Sequence, residues 1–245
     1  MLQSVLTHAS RRWLGLGLLA CASAGSWANE GAIRKSMGER LPPNIKIDEV
    51  RPSGVPGLWE LRIGNELRYT DATGQYLIEG EVFDLKARRN LTQDRLTRIN
   101  MIDFASLPLK DAIVWKNGNG KRRIAVFADP NCGYCKLFER NLQDVKDVTV
   151  YTFVVAILGG DSPEKARSAW CAKNPTQAWR DWMLDGKTLP KPSGQCDDDA
   201  IERNQALIRR HHIGSTPSVI FEDGTRVPGA LSAAQVEQRL NQTKP

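Results

Sequence analysis

Two cysteines spaced as Cys132-Gly133-Tyr134-Cys135, directly after the apolar run at residues 124–128, constrain this chain more than any other feature. The run reads as a buried strand, and the motif opens a helix predicted through about residue 144. Cysteines two residues apart at a helix start can reach each other for a disulfide. The first sits where free backbone N–H groups and the positive end of the helix dipole favour a thiolate. Cys132 is therefore the expected nucleophile. Cys135, one turn deeper, is the expected resolving thiol, which releases a mixed disulfide by forming Cys132–Cys135. Gly133 and Tyr134 set the loop shape and redox poise, with no His or Lys between the cysteines to add charge.

The address of the chain decides how its other cysteines are read. Residues 1–28 carry Arg11 and Arg12 but no acidic residue, then an apolar run over 13–22, then Ser26-Trp27-Ala28. That is the layout of a secretory signal peptide; a membrane span needs about twenty apolar residues. Ser10-Arg11-Arg12 resembles a twin-arginine signal, and residues 18–21 resemble a lipoprotein cleavage box that would lipidate Cys21. Either route leads out of the cytoplasm. Removal of residues 1–28 takes two of the 34 basic residues and none of the 28 acidic ones, so the formal charge falls from +6 to +4. With no dense basic block, that surplus supports solubility and gives no case for nucleic acid. Four of the five cysteines remain, an even number in an exported chain, as expected if all pair.

Four cysteines could also make a zinc site, but such sites usually use two C-x₂₋₄-C knuckles. Cys171 and Cys196 have 24 residues between them, including a predicted helix and a Pro/Gly loop. A structural bridge closing that loop is the better reading, with about 3.5 kcal/mol from constraint of the unfolded chain. Two free buried cysteines are the remaining alternative. No metal and no cofactor are expected.

Two regions differ in periodicity. Residues 31–40 suit a short helix ended by Pro42-Pro43. From residue 45 to 84, short alternating runs are broken by turns. Ile45, Ile47 and Val50 form the first run, and residues 52–57 break it. Trp59, Leu61 and Ile63 follow, then a Gly64-Asn65 turn, Leu67 and Tyr69, a turn at 71–74, and residues 76–83. This predicts an antiparallel meander with one buried face. So small a sheet buries little core alone. It either packs on the larger domain or, the favoured reading, pairs through its open edges with a second copy. Residues 92–106 approach helical spacing, with Leu91, Leu96, Ile99, Ile102 and Phe104 apolar, and Pro108 stops them; they predict a helical connector.

The second region alternates strands and helices. Strands are predicted at 112–116, 124–128 and 148–158, with a hairpin-type turn at 117–120. Ser162-Pro163-Glu164 starts a helix with a Ser cap and Pro in the first turn. A helix-rich insert runs to about 185, a polar loop to 199, and a helix over 200–212. A hairpin of 218–221 and 225–227 follows, and Ser232-Ala233-Ala234-Gln235 fits a capping box for the last helix. Pro217 precedes the strand at 218–221 and has no N–H to donate, as suits a strand start. Its local sequence alone suggests an ordinary trans bond, and the strand-then-C-x-x-C context reverses that to cis. The element order is thioredoxin-like.

Four motifs together carry a closer resemblance: residues 129–136 (Asp-Pro-Asn-Cys-Gly-Tyr-Cys-Lys), 169–173 (Ala-Trp-Cys-Ala-Lys), Gly214-Ser215-Thr216-Pro217 and Val227-Pro228-Gly229. Each is short, but their order and spacing are specific. The chain resembles the DsbC-type periplasmic disulfide isomerases over essentially its whole mature length. The resemblance implies a catalytic pair Cys132 and Cys135 and a structural disulfide Cys171–Cys196. It also implies a cis proline loop at Thr216-Pro217, which lies beside the catalytic sulfur and holds substrate backbone. With Gly133 and Tyr134 these are the expected substrate-binding residues. It further implies a V-shaped homodimer with an apolar cleft for misfolded proteins, and a DsbD-type membrane reductant. The related DsbG type usually has Pro where this chain has Gly133, so the isomerase branch fits better.

The expected fold is α/β: a thioredoxin-like domain with a helical insert (110–245), preceded by a signal peptide (1–28), a small α+β sheet domain for dimerisation (29–90) and a helical linker (91–109). The expected activity is periplasmic isomerisation and reduction of wrong disulfides in exported proteins. A dithiol oxidase, a DsbG-like reductase or chaperone, a dimeric holdase and a structural zinc protein are the alternatives. His211 and His212 end a predicted helix, where they can offset its dipole; a general-base role would need contact with the sulfurs. The tryptophans, Trp59, Trp170, Trp179 and Trp182 among them, are expected to pack rather than bind substrate.

Overall fold

The computed structural model describes residues 24–192 and 196–242. The basic and apolar parts of the expected signal peptide, with Cys21, lie outside the described residues. The chain divides into two compact units, with the division between Gly80 and Glu81.

The first unit contains helix α1 (Ala24–Gly38) and strands β1 (Glu49–Pro52), β2 (Leu58–Ile63), β3 (Glu66–Asp71) and β4 (Leu77–Ile78). The helix starts earlier than residue 31, and Ile45 and Ile47 precede β1 instead of lying in it. The strands form an antiparallel sheet in the order β1-β2-β3-β4. Trp59, Leu61 and Val50 share one face and pack with Ile33 and Met37 of α1. Tyr69 pairs with Glu60, and Leu67 with Arg62, so Tyr69 and Leu67 point the other way; both are buried. The meander therefore buries side chains on both faces, where alternation predicted one.

The second unit begins with β5 (Phe83–Asp84) and β6 (Arg89–Asn90), a small hairpin, and α2 (Leu91–Ile99). The expected connector helix over 92–106 is thus cut short. Asn90 caps α2 by accepting from the Gln93 N–H at 3.0 Å. Beyond Asn100 the apolar residues leave the helix. Ile102, Phe104 and Leu107 are buried against Phe127, Phe153 and Ile220 of the main sheet. The Ile102 N–H donates to the Gly224 carbonyl at 2.9 Å. Gly224 has a φ of +84°, and a Cβ there would stand 3.0 Å from the Ile102 oxygen, so the close approach requires glycine.

The main sheet uses β7 (Ile113–Asn117), β8 (Arg122–Ala128), β9 (Val148–Val154), β10 (Ser218–Phe221) and β11 (Arg226–Pro228), in the order β11-β10-β8-β9-β7. The turn at 117–120 is made, but β7 and β8 are not neighbours. β9 lies between them, parallel to β8 and antiparallel to β7. Burial explains the preference, since every residue of β9 except Tyr151 is buried and so belongs inside the sheet. Helix α3 (Gly133–Leu142) makes the β8–β9 crossover. The insert holds α4 (Ser162–Trp170) and α5 (Pro175–Asp185); α6 (Asp199–Arg210) and α7 (Ala233–Gln242) complete the unit.

Residues of β8 alternate between two cores. Ile124, Val126 and Ala128 face Phe138, Leu142, Trp179 and Val236, while Ala125 and Phe127 face the Ile102 side. Phe127 stacks on Phe153 with centroids 5.0 Å apart. Arg203 of α6 grips buried Asp111 through Nε and Nη2, at 2.9 and 2.7 Å. Ser232 and Gln235 form the expected reciprocal cap of α7. Burial, followed by Arg210 and Arg226, holds His211 below its usual range. Arg209 and Arg210, not His211, therefore supply the charge opposing the α6 dipole.

Candidate active site

The strand–turn–helix of β8, residues 129–132 and α3 builds the site. Cys132 occupies the N-cap of α3, its backbone still extended at φ −76° and ψ 113°. Its sulfur accepts the Cys135 N–H at 3.2 Å, one of the free donors that open a helix. In the thiol form its S–H can instead donate to the Thr216 carbonyl, also at 3.2 Å. Cys132 is 5% exposed and Cys135 1%; among the described residues these two are the free cysteines.

The two thiols are driven apart. A hydrogen bond from the Cys135 thiol, aided by Thr216 and by the Cys135 and Tyr134 N–H groups, brings Cys132 down to about 6 against the cost of burial. Burial pushes Cys135 far up, and its hydrogen bond to Cys132 and the charge there push the same way. One sulfur is thereby disposed to attack and the other to hold its proton.

The Thr216-Pro217 peptide is cis. Pro217 stands next to β10, and its carbonyl accepts the Gly229 N–H at 2.8 Å, so the Val227-Pro228-Gly229 motif fastens this loop. Tyr134 is 69% exposed at the head of α3. A Cβ at Gly133 would meet nothing within 4 Å; the chain's own packing does not demand glycine there. Cys171, at the end of α4, is bonded to Cys196 ahead of α6. Bonded to each other, they are unavailable as zinc thiolates.

The tryptophans pack and also anchor. Trp59 and Trp179 are buried, and Trp179 Nε1 donates to Glu139 at 2.7 Å. Trp170 Nε1 donates to the Asp197 carbonyl. Trp182 Nε1 reaches the Pro130 carbonyl at 2.7 Å, while the Lys136 and Lys165 ammonium groups lie 4.2 and 4.4 Å from its ring centroid. Reasoning from sequence gave no role to Asp129. It is wholly buried directly after β8, and its carboxylate accepts from Asn131, Ile157, Leu158 and Ser162. Two expectations change with it. The strand predicted to residue 158 ends at Val154, and Ser162 is the first residue of α4 instead of its cap, with its hydroxyl turned to Asp129.

Sheet order, crossover helix and a dithiol at the helix start define a thioredoxin-like domain. Residues 109–244 match the family model described as a thioredoxin-like domain, and residues 24–93 match that of the disulfide bond isomerase protein N-terminal domain. The chain is similar to the probable thiol:disulfide interchange protein DsbC of Bordetella parapertussis, 42% identical over 184 residues. That match covers 75% of this chain and 65%, just under two thirds, of the relative. The corresponding protein of Bordetella avium is 40% identical over 85% of this chain and 74% of its own. DsbC of Escherichia coli K12 is 28% identical over 92% of this chain and 93% of its own. Among solved structures, a disulfide interchange protein from Neisseria gonorrhoeae has 34% identity and a TM-score of 0.51, covering 56% of this chain and 97% of that one. The chain belongs to the DsbC family.

Proposed function

We propose that this protein is a periplasmic thiol:disulfide isomerase and reductase acting on wrong disulfides in exported proteins. The carrying observation is the unequal pair: a thiolate-favouring Cys132 at a helix start above a buried Cys135 that keeps its proton. In this mechanism the Cys132 thiolate attacks one sulfur of a substrate disulfide. A Cys132–substrate S–S bond forms, the substrate bond breaks, and the second substrate sulfur leaves as thiolate. A substrate thiolate then attacks the mixed disulfide and restores Cys132, with no net electron transfer. Alternatively Cys135 loses its proton, attacks Cys132 and releases a reduced substrate, so that two electrons pass from the pair to the substrate.

Burial still opposes ionisation of Cys135 when Cys132 is bonded to substrate, which slows the second exit and leaves time for the first. Thr216, Pro217, Gly133 and Tyr134 hold the substrate chain at the sulfur, and Cys171–Cys196 is structural. After a reductive turn, a DsbD-type membrane reductant returns the pair to dithiol. Residues 1–28 direct export, residues 29–90 pair two copies, residues 91–109 link, and residues 110–245 carry the chemistry. Among the described residues no helix is long and apolar enough to cross a membrane.

The Cys132→Ser variant should lose essentially all reactivation of scrambled ribonuclease. Reactivation at the wild-type rate would overturn this reading.

A further inference from the structure

We propose that Asp129 is a positioning residue for the dithiol: its buried carboxylate bolts the turn bearing Cys132 to the chain between β9 and α4, and so sets the reactivity of the pair. The proposal rests on Cys132 being the attacking thiolate.

Asp129 is 0% exposed and stands three residues before Cys132. Oδ1 accepts the Asn131 N–H at 2.8 Å. Oδ2 accepts the Ile157 N–H at 2.7 Å, the Leu158 N–H at 3.0 Å and the Ser162 hydroxyl at 2.8 Å. The same residue touches Cys132 through its main chain. Its carbonyl accepts the Cys132 N–H at 3.0 Å. One residue thus meets Cys132 on one side and three donors from residues 157–162 on the other.

A buried carboxylate is a costly way to satisfy backbone N–H groups unless its position matters. A carboxamide cannot replace it, having a single acceptor oxygen. Asparagine at 129 would turn an NH₂ either on the Asn131 N–H or on the three donors at Oδ2. The neighbouring residues repeat the attachment. Asn131 donates to Asp161 and accepts from Lys165, and the Pro130 carbonyl takes the Trp182 N–H. Every residue of the turn 129–131 is therefore held by the segment from Ile157 to Trp182, with Lys136, Asp161 and Lys165 as the charged groups around it. The thiolate-favouring bond from the Cys135 N–H to the Cys132 sulfur depends on the shape of that turn.

The test compares the pH midpoint of Cys132 alkylation and the dithiol–glutathione equilibrium in full-length wild type, Asp129→Asn and Ser162→Ala. In D129N the midpoint should rise by about one pH unit, which moves the equilibrium at pH 7 about fivefold toward the protein disulfide. S162A, which removes one donor, should move both the same way by less. A folded D129N with wild-type midpoint and equilibrium, even if less heat-stable, overturns the proposal and leaves Asp129 a packing residue. If D129N does not fold, S162A decides, and unchanged values there overturn it. A wild-type Cys132 without an acidic midpoint would instead defeat the reading of the pair itself, and the proposal with it.

Discussion

Cys132 carries a pH signature that reaches beyond catalysis. Its value falls from 9.0 in an ordinary chain to about 6 in the folded dithiol. Between those limits the folded protein binds fewer protons than the unfolded chain, so folding stability rises with pH. The contribution is fully present above the ordinary value and is lost as pH falls through about 6. Cys135, pushed upward, keeps its proton in the folded protein, so its ionisation in the unfolded chain opposes folding only as pH approaches 9.0, and Cys132→Ser carries the same thiol. In the disulfide form neither sulfur titrates. Urea unfolding of the reduced protein should therefore show stability growing from about pH 6 to 9 relative to reduced Cys132→Ser. A difference that stays flat across the window contradicts the assigned thiolate.

At the scale of elements, the insert shows what a cross-link supplies and what it leaves alone. Cys171–Cys196 closes α5 and the chain after it into a loop that starts at the end of α4, with a sequence separation of 25. Its removal in a Cys171→Ser/Cys196→Ser variant should cost about 3.5 kcal/mol in denaturant unfolding. The midpoint of Cys132 alkylation should stay where it is, because the turn 129–131 is held by hydrogen bonds on other residues; a midpoint that moves with the bridge would show the two to be coupled. The elements also separate what one segment can reveal from what needs the whole fold. The dithiol at a helix start, the Ser232–Gln235 cap and the proline before β10 each have local causes and could be read in order along the chain. The partner of β7 could not, because a glycine turn fixes a reversal but not which strand fills the space beside it. Ile102 and Phe104 kept helical spacing while answering to a sheet face. Asp129 looked like one more polar residue after a strand, because three of its donors come from residues 157–162.

For the whole molecule, the edge of the first unit's sheet bears on how many copies work together. β4 is an edge strand with no further strand beyond it among the described residues, and Tyr76, Leu77 and Ile78 are exposed there. An apolar edge left open invites pairing with another chain. If that edge joins two copies, Leu77→Asp/Ile78→Asp should halve the native mass by light scattering and leave alkylation of Cys132 unchanged. A native mass unaffected by both charges would put the interface elsewhere or remove it.

Isomerisation, as opposed to oxidation, requires that Cys132 be a free thiolate most of the time. A low thiolate value also makes the pair easy to reduce, so a reductant in the same compartment has to hold it there. The redox state in living cells, trapped by acid and read by alkylation of Cys132 and Cys135, tests this most directly. The pair should be found predominantly reduced. A pair found fully oxidised would contradict it and identify a donor of disulfides instead.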